Sequence, residues 1–404
     1  MASTFSWLSY DDSERQRTLE VVESLKAPGT LDELGFGTIR DTISGQLFPA
    51  ASTLHRRARY FTFVPALLAQ AAASGPAEAA STRFSDFETA LIRALLKGDP
   101  NAEGIIGREA LGNLKTKPSA MYWTALRRYG LITVDRGAGQ ILRTSVAQRL
   151  GAAHVVREEG DDSPSGMRVY GIDPEAAAGW LPSDWKKVGV TFVMEDDEAR
   201  YLRERIMTST EGSLYWWFLK EEVDPQRFDY AWEHPARDEF PEPMRVLLEH
   251  SRRFHHLVYG ATLAYNQLVS GLTGPEALGE EYEERFRRWD ARMAEGHVLD
   301  GWAIDDFLAL VSGYNPRLHR STKDFVRRWH AVAVRAPSPE RDREIERIIG
   351  DRELQTKKTR ARLHNAKARD GWQGGVGLMA LDYNWSVMRR IVRDILGGAD
   401  DAAA

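Results

Sequence analysis

The chain has 404 residues, of which 43% are hydrophobic and 28% are charged, a composition typical of a folded protein with two or three domains. It contains no cysteine, which excludes disulfide bonds, thiolate zinc sites, iron–sulfur clusters and cysteine nucleophiles. The net charge of −5 means that the chain as a whole does not attract nucleic acid, so any such contact must come from a local basic patch.

The sequence lacks the patterns of secreted and membrane-spanning proteins. Its first twelve residues have no basic stretch followed by an apolar run. The most apolar stretch, Phe61 to Ala73, is too short to cross a bilayer. We therefore expect a cytoplasmic protein that does not enter a membrane.

Residues 1–80 are predicted to form an N-terminal helical segment. Apolar residues recur at helical spacing between Arg15 and Lys26, which predicts the first helix. A second predicted helix runs from Leu31 to Leu47. A third runs from Ser52 to Ala73, and Pro65 either kinks it or marks its restart.

Residues 81–156 show the order of elements of a winged helix. Predicted helices are followed by two short strands around the glycine-containing turn Arg136 to Gly139, a hairpin signal. The predicted helices are Asp86 to Lys97, Arg108 to Leu114 and Pro118 to Tyr129, and the predicted strands are Leu131 to Val134 and Ile141 to Ser145. We therefore expect a winged-helix-like segment here.

The rest of the chain is predicted to be helical after a polar interruption. Residues 157–190 are interpreted as a linker and a short irregular region, because acidic, serine and proline residues cluster at its start. Residues 191–404 contain a series of amphipathic stretches separated by glycine and proline, which predicts a C-terminal helical domain. The expected fold is mainly α, with a helical N-terminal region that includes the winged-helix-like segment and a larger all-helical domain after it.

Several short strings are similar to one bacterial family. The N-terminal ones are Phe5-Ser6-Trp7-Leu8, Asp32-Glu33-Leu34-Gly35, Ile39-Arg40-Asp41, Leu47-Phe48-Pro49, Ser52-Thr53-Leu54, Arg57-Ala58-Arg59-Tyr60-Phe61 and Phe63-Val64-Pro65. Later ones are Gly104-Ile105-Ile106-Gly107-Arg108-Glu109, Tyr122-Trp123, Arg360-Ala361-Arg362-Leu363 and Leu381-Asp382-Tyr383-Asn384-Trp385. With these strings the chain resembles the family called domain of unknown function 6361. The resemblance brings no catalytic residue, but the family's genomic neighbourhoods, which include helicases and nucleases, imply a role in defence against foreign DNA.

No motif for a particular chemistry stands out. The phosphate-cradling Gly-x-x-x-x-Gly-Lys-Ser/Thr loop is missing, and so is His-Glu-x-x-His. The adjacent pair His255-His256 points two ways on a helix, so it cannot hold one metal ion as an i, i+4 pair would. Asp173, Glu175, Asp184 and Lys186 have poor spacing for a divalent-metal nuclease site, which stays an alternative built from dispersed ligands. We expect no cofactor, and a non-enzymatic protein is favoured.

The strongest functional signal is a basic segment from Arg108 to Arg149, with eight Lys or Arg residues against two acidic ones, a net charge of about +6. On the predicted helix Pro118 to Tyr129, the side chains of Tyr122, Ala125, Leu126 and Tyr129 face the core, and those of Ser119, Trp123, Thr124, Arg127 and Arg128 face outward. The candidate nucleic-acid-binding residues of this segment are Lys115, Lys117, Trp123, Arg127, Arg128, Arg136 and Arg143, with Arg136 placed at the tip of the wing. The alternative is a winged helix that packs against protein.

A second basic segment, Lys357 to Arg369, holds six Lys or Arg residues and no acidic residue. Its candidate nucleic-acid-binding residues are Lys357, Lys358, Arg360 and Arg362, and Trp372 is a candidate for stacking on a base. The alternative is a solvated helix face that pairs with Glu344 and Glu346. In contrast, Arg57 and Arg59 stand among aromatic residues and are interpreted as internal ion-pair partners of Asp32, Glu33 or Asp41.

These patterns support one functional hypothesis over two alternatives. The favoured hypothesis is a non-enzymatic, DNA-associated component of a bacterial anti-phage assembly, whose partners are double-stranded DNA and defence proteins such as a helicase or a nuclease. The first alternative is a helical scaffold that binds only protein, with Trp216, Trp217 and Trp289 as exposed anchors. The second is the divalent-metal nuclease.

Overall fold

The computed structural model describes residues 32–111, 114–159, 169–226, 228–378 and 380–397, without the side chains of residues 77 and 151–159. In these ranges all regular secondary structure is helical, and Ile132 and Ile172 form one isolated antiparallel bridge. The prediction of a mainly α fold is confirmed. The predicted helix from Arg15 to Lys26 lies outside the described residues.

The helices follow the chain in short and long segments separated by turns. The α-helices are α1 (Gly37–Leu47), α2 (Tyr60–Ala73), α3 (Ala80–Gly98), α4 (Pro118–Arg128), α5 (Ala138–Glu159), α6 (Pro174–Ala178), α7 (Trp185–Val188), α8 (Asp196–Thr210), α9 (Leu214–Lys220), α10 (Glu242–Thr273), α11 (Glu276–Glu295), α12 (Ile304–Tyr314), α13 (Arg320–Ala333), α14 (Pro339–Lys357), α15 (Ala366–Arg369) and α16 (Trp385–Ile395). Short 3₁₀ helices cover Ala77–Ala79, Ala231–Glu233, Pro235–Glu239 and Lys358–Arg360. None of the described helices combines the length and the apolar composition that crossing a lipid bilayer requires.

The chain forms two compact units, and each is built from separate stretches of sequence. Among the described residues, unit 1 contains Phe48–Phe228 and the stretch that begins at Asn384. Unit 2 contains Asp229–Tyr383 together with residues 32–47, so that α1 belongs to unit 2.

Helix α2 lies at the centre of unit 1. Nearly all of its residues are buried, including Phe61, Phe63 and Leu67, because its sequence is apolar on every side rather than along one stripe. It packs against α3, α4, α5, α6 and α8. Pro65 lies inside the helix, where the absence of its N–H removes one backbone hydrogen bond without ending the helix.

Unit 2 is organised around α10, which has 32 residues. It packs closely against α11 at Gly260, because a Cβ atom there would overlap the indole ring of Trp289. The indole N–H groups of Trp289 and Trp329 donate to the carbonyl oxygens of His256 and Leu257, at 2.9 and 2.8 Å. Large aromatic residues therefore fill this core with their polar atoms paired.

The predicted wing is wrong. Residues 141–145, predicted as its second strand, lie within α5, and residues 131–134 form a loop in which Ile132 makes one isolated bridge to Ile172. The buried residues of this stretch are Ile141, Leu142, Ser145 and Val146, whose spacing of i, i+1, i+4 and i+5 marks one face of a helix. Residues 108–110 of the predicted helix Arg108 to Leu114 form turns instead, and its residues 112–113 lie outside the described residues. The winged-helix layout is therefore replaced by two helices, α4 and α5, joined by a loop.

Candidate nucleic-acid interface

Helix α4 presents one face to the core of unit 1 and the other to solvent, as predicted. Tyr122, Ala125, Leu126 and Tyr129 are all buried. The hydroxyl of Tyr122 donates to the Arg57 carbonyl oxygen at 3.0 Å, and that of Tyr129 donates to the Pro49 carbonyl oxygen at 3.0 Å. This buried face fixes the rotation of α4 about its axis and thereby fixes which side chains face outward.

A glycine-dependent turn ends α4 and sets the geometry of the outer surface. Gly130 adopts a left-handed conformation with φ of +73°, and its N–H donates to the Arg127 carbonyl oxygen at 3.1 Å. The next N–H, of Leu131, reaches back to the carbonyl oxygen of Leu126 at 2.9 Å. This pair of bonds is the Schellman motif. Arg205 also donates to the Gly130 carbonyl oxygen at 2.6 Å, so the turn is held from both sides.

The last turn of α4 and the loop after it line an open cleft of about 370 Å³. Thr124, Arg127 and Arg128 form one wall, and residues 132–135 form the other. Arg127 makes an ion pair with Asp135, with 2.5 Å between Nη2 and Oδ1, but the side chains are 40% and 88% exposed. Exposed ion pairs contribute about 0–1 kcal/mol. The guanidinium group of Arg127 therefore stays accessible to a stronger anionic partner.

Arg136 and Arg143 extend this basic surface along the chain. Both side chains are exposed, Arg136 in the loop and Arg143 on α5. Nη1 of Arg143 lies 3.7 Å from the position that a Cβ atom on Gly139 would occupy, so its guanidinium group turns back towards the start of α5. The first turn of α5 contains no acidic residue. The partial positive charge of this helix end adds to that of the arginines. We call Arg127, Arg128, Arg136 and Arg143 the arginine edge.

The two predicted lysines lie apart from the arginine edge, because they precede the N-terminus of α4. Lys115 is exposed, whereas Lys117 is half-buried and its Nζ donates to the hydroxyl of Thr89 at 2.6 Å. Trp123 is half-buried as well. The outward position predicted for Ser119 is wrong, because this residue is buried and its N–H donates to Glu88 at 2.8 Å.

The second predicted patch belongs to unit 2 and is partly neutralised there. Nζ of Lys357 and Nη1 of Arg362 both contact the Glu33 carboxylate, at 3.3 and 3.1 Å. Lys358 and Arg360 are exposed. The prediction that Trp372 stacks on a base is wrong, since its side chain is buried and close to the ring of Tyr282.

Arg57 and Arg59 are internal ion-pair partners, as predicted, but their carboxylates are not the predicted ones. Arg57 contacts Asp394, with 2.9 Å between Nη2 and Oδ1, and both side chains are buried. Arg59 contacts Glu198, with 2.8 Å between Nη2 and Oε2, and Glu198 is fully buried. Burial raises the pKa of Glu198, while the charge and hydrogen bonds of Arg59 oppose that rise. Both arginines therefore form buried ion pairs within unit 1.

The residues of the nuclease alternative have structural contacts of their own. Asp173 accepts hydrogen bonds from the first N–H groups of α6 and from the hydroxyl of Tyr201 at 2.7 Å. Nζ of Lys186 lies 3.8 Å from the ring centre of Phe87. Among the described residues, no three His, Asp or Glu side chains are grouped so that they could hold a metal ion.

The anchors predicted for a protein-only scaffold are mostly inside the protein. Trp217 and Trp289 are buried, so the prediction that they are exposed is wrong, and Trp216 is half-buried. Thr133, which is exposed and lines the cleft of the arginine edge, is not among the residues that the sequence predicts for the site. It falls in a predicted strand, and its polar side chain is the only signal that the sequence offers.

Comparisons with known proteins point to one family. The model of a family described as of unknown function, DUF6361, matches residues 2–146 and 181–400. Neither a curated protein nor a solved structure matches the chain. The match covers all of the arginine edge, which lies between residues 127 and 143.

Proposed function

Because the chain belongs to the family of unknown function DUF6361, which brings no catalytic residue, we propose its function from its own surface. We propose that it is a non-enzymatic component of a bacterial anti-phage assembly that contacts the backbone of double-stranded DNA through the arginine edge. The observation that carries the proposal is the exposure of Arg127 and Arg128 at the end of α4, of Arg136 in the loop and of Arg143 on α5, with Asp135 as the acidic partner of Arg127.

The residue types of the arginine edge suit phosphate groups. Arginine donates through a planar fork that matches two phosphate oxygens, and hydroxyls such as those of Thr124 and Thr133 add neutral donors beside it. The positive end of α5 favours an anion at the same place. Without a wing, and with Trp123 half-buried, the surface offers few groups that would read base edges. We therefore propose backbone contacts with little sequence preference.

Counterion release gives the proposal a quantitative form. If the four arginines each neutralise one phosphate, log K falls with log[salt] with a slope of roughly −3 to −4. Between 50 and 200 mM salt the affinity then drops by roughly 100-fold. Fluorescence anisotropy with a labelled duplex measures both quantities directly.

The test is a double charge reversal, Arg127→Glu with Arg128→Glu. We expect at least a 100-fold loss of duplex affinity at low salt and a slope that is smaller by about 2, because two phosphate contacts disappear. The matched control reverses two exposed arginines on α11, Arg287→Glu with Arg288→Glu, which changes the net charge equally. Equal losses in both variants, or binding that ignores salt, would contradict the proposal, and absence of duplex binding would favour the protein-only scaffold.

Membership of a defence assembly is supported by the resemblance described above and needs a separate test. A tagged protein purified from its native host at low salt is expected to bring duplex DNA together with a helicase or a nuclease. The Arg127→Glu, Arg128→Glu variant is expected to lose the DNA and keep the protein partners. Purification without either partner would contradict this part of the proposal while leaving the duplex measurement unaffected.

A further inference from the structure

Besides the cleft of the arginine edge in unit 1, there is a cleft of about 520 Å³ in unit 2. It lies between the loop that follows Asp229 and the first turns of α10. The two walls of this cleft differ in chemistry. The loop contributes the ring of Trp232 and charges of both signs, from Glu233, Arg237 and Asp238, whereas α10 contributes Arg245, Leu248, Glu249 and Arg252. No motif in the sequence marks this site, and it is independent of the arginine edge. We call it the unit 2 cleft.

The α10 wall is a stripe of residues with one unpaired cation. Arg245, Leu248, Glu249 and Arg252 line the cleft at positions i, i+3, i+4 and i+7, so they share one face of the helix. Arg252 donates to both oxygens of Glu249, at 3.2 and 2.9 Å, and Arg253 donates to the same carboxylate at 2.9 Å. The carboxylate of Glu249 is thus already paired with two arginines.

Arg245 is different, because it is exposed and has no ion pair within the described part of the chain. Its charge adds to that of Arg252, and Glu249 already serves two arginines. The α10 wall therefore carries a net positive charge. An anion that enters the cleft gains a charge-assisted contact there without breaking an existing ion pair.

The loop wall holds Trp232 in a fixed position. Its indole ring stacks on Tyr230, with 4.4 Å between ring centres and 9° between ring planes, and its ring centre lies 5.7 Å from that of His255 and 6.2 Å from that of Tyr383. The same loop is folded into two short 3₁₀ helices, where the buried ring of His234 accepts from the N–H of Ala236 at 3.2 Å. The half-buried Trp232 is therefore a preorganised platform for a planar group.

We propose that the unit 2 cleft binds a nucleotide, with the base against Trp232 and the phosphate at Arg245. Stacking on an aromatic ring contributes about 1–3 kcal/mol per base. The carboxylate of Glu233 beside the ring accepts from an exocyclic amino group, which adenine, guanine and cytosine carry and uracil lacks. The volume of the cleft lies within the range of small-ligand sites.

The mixed charge of the cleft favours one nucleotide over a long polyanion. On the loop wall Arg237 contacts Asp238, with 3.8 Å between Nε and Oδ1, which leaves Glu233 to repel phosphates, so a strand could place only one of its nucleotides in the cleft. A single nucleotide avoids that repulsion, because its one phosphate group faces α10 only. The nucleotide is either free or part of a single strand, and the experiment below separates these two sources.

The test uses calorimetric titration of the full chain with GMP, CMP and UMP, and with a short single-stranded oligonucleotide. We expect GMP and CMP to bind at least tenfold more tightly than UMP. Arg245→Ala is expected to weaken GMP at least tenfold, and Arg245→Lys should recover part of that loss because it restores the charge. Trp232→Leu is expected to remove most of the affinity for every nucleotide, because it removes the stacking ring.

The matched control is Arg343→Ala, which removes an exposed arginine from α14 in the same unit and is expected to leave binding unchanged. Thermal unfolding of every variant separates lost binding from lost folding. Binding of the oligonucleotide but of no free nucleotide assigns the site to a single strand, which supports the proposal. Absence of binding to all four probes, or equal binding by wild type and a folded Arg245→Ala variant, overturns it.

Discussion

The arginines of this chain divide into two kinds according to what surrounds them. Arg57 and Arg59 are buried with carboxylates, whereas Arg127, Arg128 and Arg136 are exposed. The sequence predicted this division correctly, because aromatic neighbours mark an interior and a locally basic stretch marks a surface. The partners Asp394 and Glu198 could not be predicted, since they lie 337 and 139 residues away from their arginines. Non-local pairing of this kind has no periodic signature.

One buried histidine gives unit 1 a pH dependence. His55 stacks on Tyr122 with 4.4 Å between ring centres, and burial lowers its pKa from 6.5 to about 4. The unfolded chain therefore binds more protons than the folded chain between these two values. The contribution of His55 to the free energy of unfolding is fully present above pH 6.5 and is lost as the pH falls towards 4. The free energy of unfolding is therefore about 2 kcal/mol lower at pH 5 than at pH 7.

Urea unfolding at pH 7 and pH 5 measures this loss. His55→Phe keeps a ring against Tyr122 and removes the titrating group. The difference between the two pH values is expected to shrink by about 2 kcal/mol in this variant, whatever its absolute stability. An unchanged difference would show that the histidine does not contribute.

At the scale of elements, the sequence predicted α4 well and α5 wrongly, because α4 has clear signals at both ends and the start of α5 has none. Pro118 at the start of α4 and Gly130 just after its end are local signals that act within a few residues. The apolar run from Ile141 is too short to separate a buried strand from a buried helix, and the glycines before it favoured a turn. The arginine edge is nevertheless exposed, because arginines on α5 and on the loop before it reach solvent as well as arginines on a wing would.

Gly130 is the residue on which the end of α4 depends. Alanine at φ of +73° costs about 1–2 kcal/mol, and its Cβ would also overlap the guanidinium group of Arg205. Gly212 is a matched control, since it has φ of +79° and open space around the same position. Gly130→Ala is expected to lower the free energy of unfolding by about 1 kcal/mol more than Gly212→Ala. Equal losses of unfolding free energy in chemical denaturation would mean that the overlap with Arg205 adds nothing to the cost of Gly130→Ala.

At the scale of the whole molecule, each unit is assembled from discontinuous stretches. The ends of the stretch Asp229–Tyr383 are neighbours in unit 2, where Trp232 and Tyr383 have ring centres 6.2 Å apart. The flanking ends are neighbours in unit 1, where the indole N–H of Trp385 donates to the Phe228 carbonyl oxygen at 2.8 Å. The stretch Asp229–Tyr383 of unit 2 is thus inserted into the sequence of unit 1, whereas residues 32–47 of unit 2 come before it in the chain. Sequence patterns describe consecutive elements, so they do not reveal that the chain leaves unit 1 after Phe228 and re-enters it at Asn384.

A chain that ends at Tyr383 tests this architecture. Such a chain lacks α16, which buries Trp385, Met388 and Ile391 in unit 1, and it leaves Arg57 without its carboxylate. Removal of one partner from a buried pair typically costs 3–5 kcal/mol, and the lost apolar burial adds to that. Hydrogen exchange is expected to show α10 protected as in the full chain and α2 unprotected. Protection of both helices would contradict the division into two units.

The insertion also determines which unit is synthesised completely first. The ribosome completes unit 2 when it reaches Tyr383, but unit 1 has to wait for the residues of α16. Asp394 follows Arg57 by 337 residues, an interval of roughly 20–70 s at translation rates of about 5–20 residues per second. During that time the aromatic surface that Trp385 later covers is open to chaperones and to other nascent chains. The unit that carries the arginine edge therefore matures last, and the nascent protein acquires its inserted unit first.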